Sequence, residues 1–292
     1  MLRHFAFIPA LAFLTTSTLA AEGPSPAPPP EPQGMVKMFN GQDINNWDGD
    51  PRLWSAHDCM IRGQTTTENP AHGNTFLIWK GDGNVKTDPA GHADVADFDL
   101  RLSFKITGGN SGVQYRSRVL SIEEQEKIVG GKKANPKKKN KKGGETAAAA
   151  PQNTNPWMVT GYQAEIANVP GKDGFMYHEK GPNRGYSDNG KYLCRVGDKT
   201  EIAEDGSFKI IGKVGDQEAI GNTYHKSDWN DYVIIARGNH LQHFINGHQT
   251  IDFTDNDPKN HLTHGILALQ LHAGQPMEVD FKDLRIKIYD SK

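Results

Sequence analysis

The segment Gly265-Ile-Leu-Ala-Leu-Gln-Leu-His-Ala-Gly274 sorts cleanly by parity. Taken as a strand, successive side chains point to opposite faces, so Leu267, Leu269 and Leu271 share one face. Ile266, Ala268, Gln270 and His272 share the other. Gly109 to Arg116 repeats the design, with Val113 and Tyr115 opposite Gly112, Gln114 and Arg116. Gly161 to Ile166 does so again: Tyr162, Ala164 and Ile166 face one way, Gln163 and Glu165 the other. Asp97 to Ile106 alternates with Phe98, Leu100, Leu102, Phe104 and Ile106 inward. Tyr232 to Ala236 is an apolar run suited to a central strand, and Asn246-Gly247 after His240 to Ile245 is a strong hairpin signal. The last strands run from Met277 to Phe281 and from Leu284 to Ile288; their inward parity slips in between, which predicts a bulge. No stretch carries a sustained helical period with caps. The pattern predicts an all-β sandwich or jelly roll.

Composition adds boundaries to this picture. The positive start Met1 to His4, the apolar stretch Phe5 to Leu14 and the small-residue ending Thr18-Leu-Ala20 predict a signal peptide over residues 1–20 and a secreted or periplasmic protein. The apolar run is too short for a membrane span. Residues 21–34 are Pro-rich and are expected to form an extended, semi-rigid tether, with a single domain over 35–290. Residues 122–155 have little to bury and are expected to form a disordered insertion. The core of that insertion, Lys132 to Lys142, holds seven lysines and no acid; it is either a solvated loop or a patch for an anionic polymer. Cys59 and Cys194 either pair or stay as buried thiols. A net charge of −2 over 292 residues gives no reason to expect nucleic acid.

If the three two-faced strands are neighbours, their polar sides present Gln114 with Arg116, Gln163 with Glu165, and Gln270 with His272. Amides and a guanidinium suit sugar hydroxyls, and Glu and His move protons near neutral pH. Alternating polar residues on a half-exposed sheet is the plainer reading. Repeated Gln across three strands argues against it, since ordinary exposed faces favour Lys, Glu and Thr.

The same residues carry a family resemblance. Met38 to Trp47, Asn110 to Arg116, Gly161 to Ile166, Trp229 to Tyr232, His243 to Gly247 and Gly265 to Gly274 occur in an order that resembles the 3-keto-disaccharide hydrolase domain family. The resemblance covers the chain from Met35 to Tyr289, apart from the lysine-rich insertion. It implies a concanavalin A-like jelly roll of two curved antiparallel sheets with ligands on the concave face. It also implies exported carbohydrate-active proteins, some of which cleave 3-keto-glycosides. A ketone at C3 acidifies the C2 hydrogen, so a base can start an elimination of the C1 oxygen, after which water adds back. On this scheme Glu165 and His272 are the acid–base candidates, in either order, and Arg116 stabilises the enolate oxygen. Gln114, Gln163 and Gln270 hold hydroxyls. The loop Gly174 to Tyr186 closes over them, bringing Arg184, Tyr186 and His178.

No cofactor is required, although Glu165 and His272 are also the candidate ligands if a divalent metal takes part. Glu278 to Asp283 approximates a glucanase Glu-x-Asp-x-x-Glu run, but it ends in Asp, contains the expected bulge and is placed at a sheet edge. His57, His72, His92, His225, His261 and His264 sit among turn residues and are expected at the surface. The expected partner is a carbohydrate, and the rival to an enzyme is a binding module using the same face.

Overall fold

A computed structural model describes residues 25–133 and 155–290. Its strands, numbered in chain order, form two sheets. The ten-stranded sheet runs β12 (Phe208–Lys213), β11 (Asp198–Ile202), β15 (His248–Asp255), β14 (His240–Ile245), β13 (Asn230–Arg237), β6 (Asp97–Thr107), β17 (Met277–Tyr289), β4 (Met60–Thr65), β3 (Trp54–His57), with β1 (Val36–Lys37) on β17. The seven-stranded sheet runs β10 (Tyr192–Cys194), β9 (Met176–Glu179), β8 (Val159–Ile166), β7 (Ser111–Val119), β16 (Ile266–Leu271), β5 (Thr75–Trp79), β2 (Trp47–Asp48). All pairings are antiparallel except β11 with β15. The chain is thus an all-β jelly-roll sandwich.

The parity of the sequence maps onto its core. Phe98, Leu100, Leu102, Phe104 and Ile106 meet Val113, Tyr115, Tyr162, Ala164 and the three leucines of β16 between the sheets. The hairpin forms at Asn246-Gly247, with φ of 48° and 81°, values a β-hairpin turn of this kind demands. The bulge near the C-terminus is also present: register shifts between Lys282 and Arg285, and Asp283 has φ of 54°. It interrupts one continuous strand rather than separating two. β17 lies between β6 and β4, not at an edge. Its Asp280 is buried in a two-pronged contact with Arg62 (2.8 and 2.9 Å), so the glucanase-like run is occupied by cross-strand ion pairing.

Two boundary expectations change. Residues 25–33 are not a free tether. Pro26 accepts from the Gln249 amide at 2.8 Å, Pro29 from Arg101 at 2.8 Å, and Glu31 holds Arg285 at 2.6–2.9 Å. The segment therefore crosses the outer face of the larger sheet from β15 to β17. Val233, Ile235 and Phe244 point outward there and are nevertheless buried, because an extended Pro-rich chain lies across them at little entropic cost.

The start of the expected disordered insertion is helix α1 (Ile122–Lys133). Ser121 and Glu124 form a reciprocal capping box, Glu124 N–H donating to Ser121 Oγ (3.2 Å) and Ser121 N–H to the Glu124 carboxylate (2.9 Å). Buried Gln125 bonds Asn155 in both directions and Leu120 O, which clamps the two ends of the insertion together. A short α2 (Gln217–Gly221) is the second helix. The lysines from 134 to 142 and the expected signal peptide over 1–20 lie outside the described residues.

Cys59 and Cys194 are both free, and Cys59 is exposed rather than buried. His92 is not a surface group: it is buried between Asp48 (3.0 Å) and Asp88 (3.3 Å). Among the described residues no helix is long and apolar enough to cross a membrane.

Deleting residues 25–33 should uncover the Val233, Ile235 and Phe244 cluster and lower stability by about 2–4 kcal/mol. Thermal unfolding of the truncated chain checks this; an unchanged midpoint would return the segment to the role of a tether.

Candidate active site

The strands β8, β7 and β16 are consecutive neighbours, so their outward polar residues share one face. Register sets the rows. Gln163 lies opposite Gln114, and Glu165 opposite Gly112, next to Gln270 on β16. Gln163 is the hub. Its amide nitrogen donates to Glu165 Oε2 and to Gln270 Oε1 (3.2 Å), and its carbonyl oxygen accepts from Gln114 Nε2 and Gln270 Nε2 (3.1 Å). Ser117 Oγ donates to Gln114 Oε1 at 2.8 Å. Gly112 is required by this packing, because a Cβ there would lie 2.8 Å from Gln163 Nε2.

All four side chains are buried, Glu165 being 7% exposed. Burial pushes the Glu165 carboxyl up to about 8; the neighbouring carboxyls Glu179 and Asp173 add to the rise, and the Gln163 amide opposes it. The site therefore holds a carboxyl that exchanges its proton slightly above neutral pH, among amides that can donate and accept.

His272 comes just past Leu271, the last residue of β16, one two-residue step along the chain beyond Gln270 and at the end of this face. Two strand spacings and that step separate its Cα from that of Glu165 by about 12 Å. Its Nδ1–H donates to Ala273 O at 2.6 Å. The two do not converge on a point, and among the described residues no group of three or more His, Cys, Asp or Glu is gathered as metal ligands. Glu165 and His272 do not fit as a shared ligand pair.

Arg116 is not on this face. Register shifts after Tyr115, and Arg116 takes φ of 47°. This bulge gives Ser117 the outward place and turns the guanidinium into the protein. There it donates to the carbonyls of Ala96 (3.0 Å), Gly238 (2.6 Å) and Leu262 (3.0 Å) and to Asp97 (3.0 Å).

Arg184 is likewise interior. It grips Asp255 with two bonds (3.0 and 2.8 Å) and reaches Asp257, while Tyr162 donates to the same Asp255. Tyr186 donates to Asp198 and lies under the Arg195 guanidinium at 4.1 Å. His178 points inward against Tyr162, and burial with the Arg184 and Lys191 charges pushes it down to about 3, so it stays neutral. These residues fix the edge of the sandwich instead of entering the site.

The stretch Gly174 to Tyr186, expected as a closing loop, is in part strand β9 beside β8. It brings Tyr177, opposite Gln163, and Glu179, opposite Gly161, onto the polar face. Sequence reasoning missed both, although Met-Tyr-His-Glu alternates as the other strands do.

Two outcomes follow from these placements. Arg116→Met should cost about 3–5 kcal/mol, because three carbonyls and Asp97 lose a charged donor; urea unfolding measures it, and an unchanged midpoint would put Arg116 outside the framework. Glu165 is raised from 4.5 to about 8, so its stabilising share is full below pH 4.5 and is lost as pH rises through 8. Glu165→Gln should flatten that decline, leaving the variant more stable than the parent by a few kcal/mol above pH 8. Parallel pH–stability curves would contradict this.

Among solved structures, a candidate glycosyl hydrolase from Parabacteroides distasonis is 20% identical, with 88% of this chain and 94% of that chain covered at a TM-score of 0.46. A carbohydrate-binding module from Bacillus subtilis is 11% identical, with 86% and 99% covered at 0.43. Lectin I-B4 from Griffonia simplicifolia is 11% identical, with 84% and 92% covered at 0.39. The sequence matches none of the curated proteins. The 3-keto-alpha-glucoside-1,2-lyase-like domain model matches residues 34–287. With most of its length inside that match, the chain belongs to the 3-keto-alpha-glucoside-1,2-lyase-like domain family.

Proposed function

We propose that this chain is an exported carbohydrate-active enzyme that cleaves 3-keto-glycosides by elimination at C1–C2 followed by hydration. The observation that carries the reading is Glu165: a buried carboxyl with its pKa raised to about 8, on a face of amides, in a chain of this family. A carboxylate desolvated in this way is a stronger base than one in water, and the C2 hydrogen beside a ketone is acidic enough for it to remove.

Glu165 takes the C2 proton and the electrons move onto the C3 oxygen. Gln114 and Gln270 each have a second amide hydrogen beyond the one given to Gln163, and these stabilise the enolate oxygen. That task falls to them because Arg116 is committed to the framework. Collapse of the enolate expels the C1 oxygen substituent, and water then adds at C1 with return of a proton to C2. His272, at the end of the same face, holds a hydroxyl rather than sharing the proton with Glu165.

Incubation of the protein with a 3-keto-glucoside should release the aglycone. Glu165→Gln should lower turnover about 10²–10⁴-fold. Because the base form is required, kcat/KM of the parent should rise with pH through about 8. Sugar binding without release at any pH would instead favour a carbohydrate-binding module on this face.

A further inference from the structure

Elimination needs a proton for the departing oxygen, and Glu165 as base does not supply it. We infer that Tyr177 is the group that protonates the leaving oxygen, an assignment that rests on the elimination reading above. Tyr177 is directly opposite Gln163 in the β8–β9 register, so the two side chains point to the same face. Glu165 is then its diagonal neighbour, with Cα atoms about 7–8 Å apart, within reach across one small substrate. The ring is braced edge-on by Phe175 (6.3 Å) and Tyr192 (5.5 Å), which aims it without engaging its hydroxyl. That hydroxyl takes no hydrogen bond from the described side chains; burial, with Glu179, Tyr192 and Glu165 nearby, pushes it up to about 12.

The other proton carriers near Glu165 are engaged elsewhere: Glu179, on the same face, is held in an ion pair by Lys180. His178 faces the core, and His272 lies two strands away with its Nδ1–H on Ala273 O. Asp173 accepts the amides of Asn168 (2.9 Å) and Val169 (3.1 Å) at a turn. A phenol that stays protonated is also well matched to an alkoxide, whose basicity is high only as the C1–O bond breaks.

The step balances. Glu165 gains the C2 proton, the C1–O bond breaks with its electron pair on oxygen, and that oxygen takes the Tyr177 proton. The products are the alcohol and a 2-hydroxy enone. The tyrosinate regains its proton from Glu165 before water adds across C1 and C2, so no oxidant or reductant is needed.

Leaving groups of different basicity test this. Y177F keeps the ring and its packing. On methyl 3-keto-glucoside, whose methoxide must be protonated, Y177F should lose about 10²–10⁴-fold in turnover. On 4-nitrophenyl 3-keto-glucoside, whose leaving group departs as the anion, it should stay within about threefold of the parent. Glu165→Gln should lose activity on both. Equal losses of Y177F on the two substrates, or none on either, would overturn the assignment. If the parent turns over neither substrate, the elimination reading falls and this assignment falls with it, whereas turnover by the parent without that split removes only Tyr177.

Discussion

The carboxamide of Gln163 ties the polar face together. It spans three strands, giving one proton to Glu165 and one to Gln270 while accepting from Gln114 and Gln270. Each of these groups is buried, and a buried amide without partners would cost about 1–3 kcal/mol. The network therefore fixes the rotamers of four side chains at once, and a Gly at 112 is needed to let it close. It also isolates Glu165: one amide contact does not offset the loss of water, so its proton is held to about pH 8. Placement and reactivity of the carboxyl thus have a single origin.

The distribution of positive charge follows a complementary logic. Two arginines near the polar strands are spent on the framework. Arg116 gathers backbone carbonyls from three separate segments, and Arg184 locks Asp255 and with it Tyr162. A buried guanidinium held in this way is a structural fastener, since its donors fill otherwise unpaired acceptors. With both withdrawn, the face offers neutral amides, a phenol and carboxyls, with the His272 imidazole at its end. Such a face suits an uncharged polyhydroxy ligand, and it leaves the proton inventory to Glu165 and its neighbours.

Much of the fold was legible because its signals are local. Period-two alternation sorted the core residues of β6, β7, β8 and β16, and Asn246-Gly247 located a hairpin. The slip between Phe281 and Leu284 located a bulge, though not that one strand continues through it at the middle of a sheet. The Ser121 to Glu124 capping box was equally local and was obscured by the lysines that follow. The Pro-rich composition of residues 25–33 suggested a tether, because nothing local shows that Val233, Ile235 and Phe244 wait on the far side of a sheet to be covered.

What the sequence by itself determined is the sidedness of β6, β8, β16 and most of β7, the glutamine-rich polar faces and the family. Side-chain direction along a strand is a property of consecutive residues, so it needs no partner. Which polar groups meet was decided only by tertiary structure, because strand order and register are set by pairing between distant segments. One bulge at Arg116 moved a charge from the site into the framework, against the parity of its own strand. One neighbour, β9, put Tyr177 beside Gln163, residues that are adjacent only across a ladder. The two-faced segment from Gly265 to Gly274 had a polar side from the start; its Gln270 became part of a candidate site through the strands that lie next to β16.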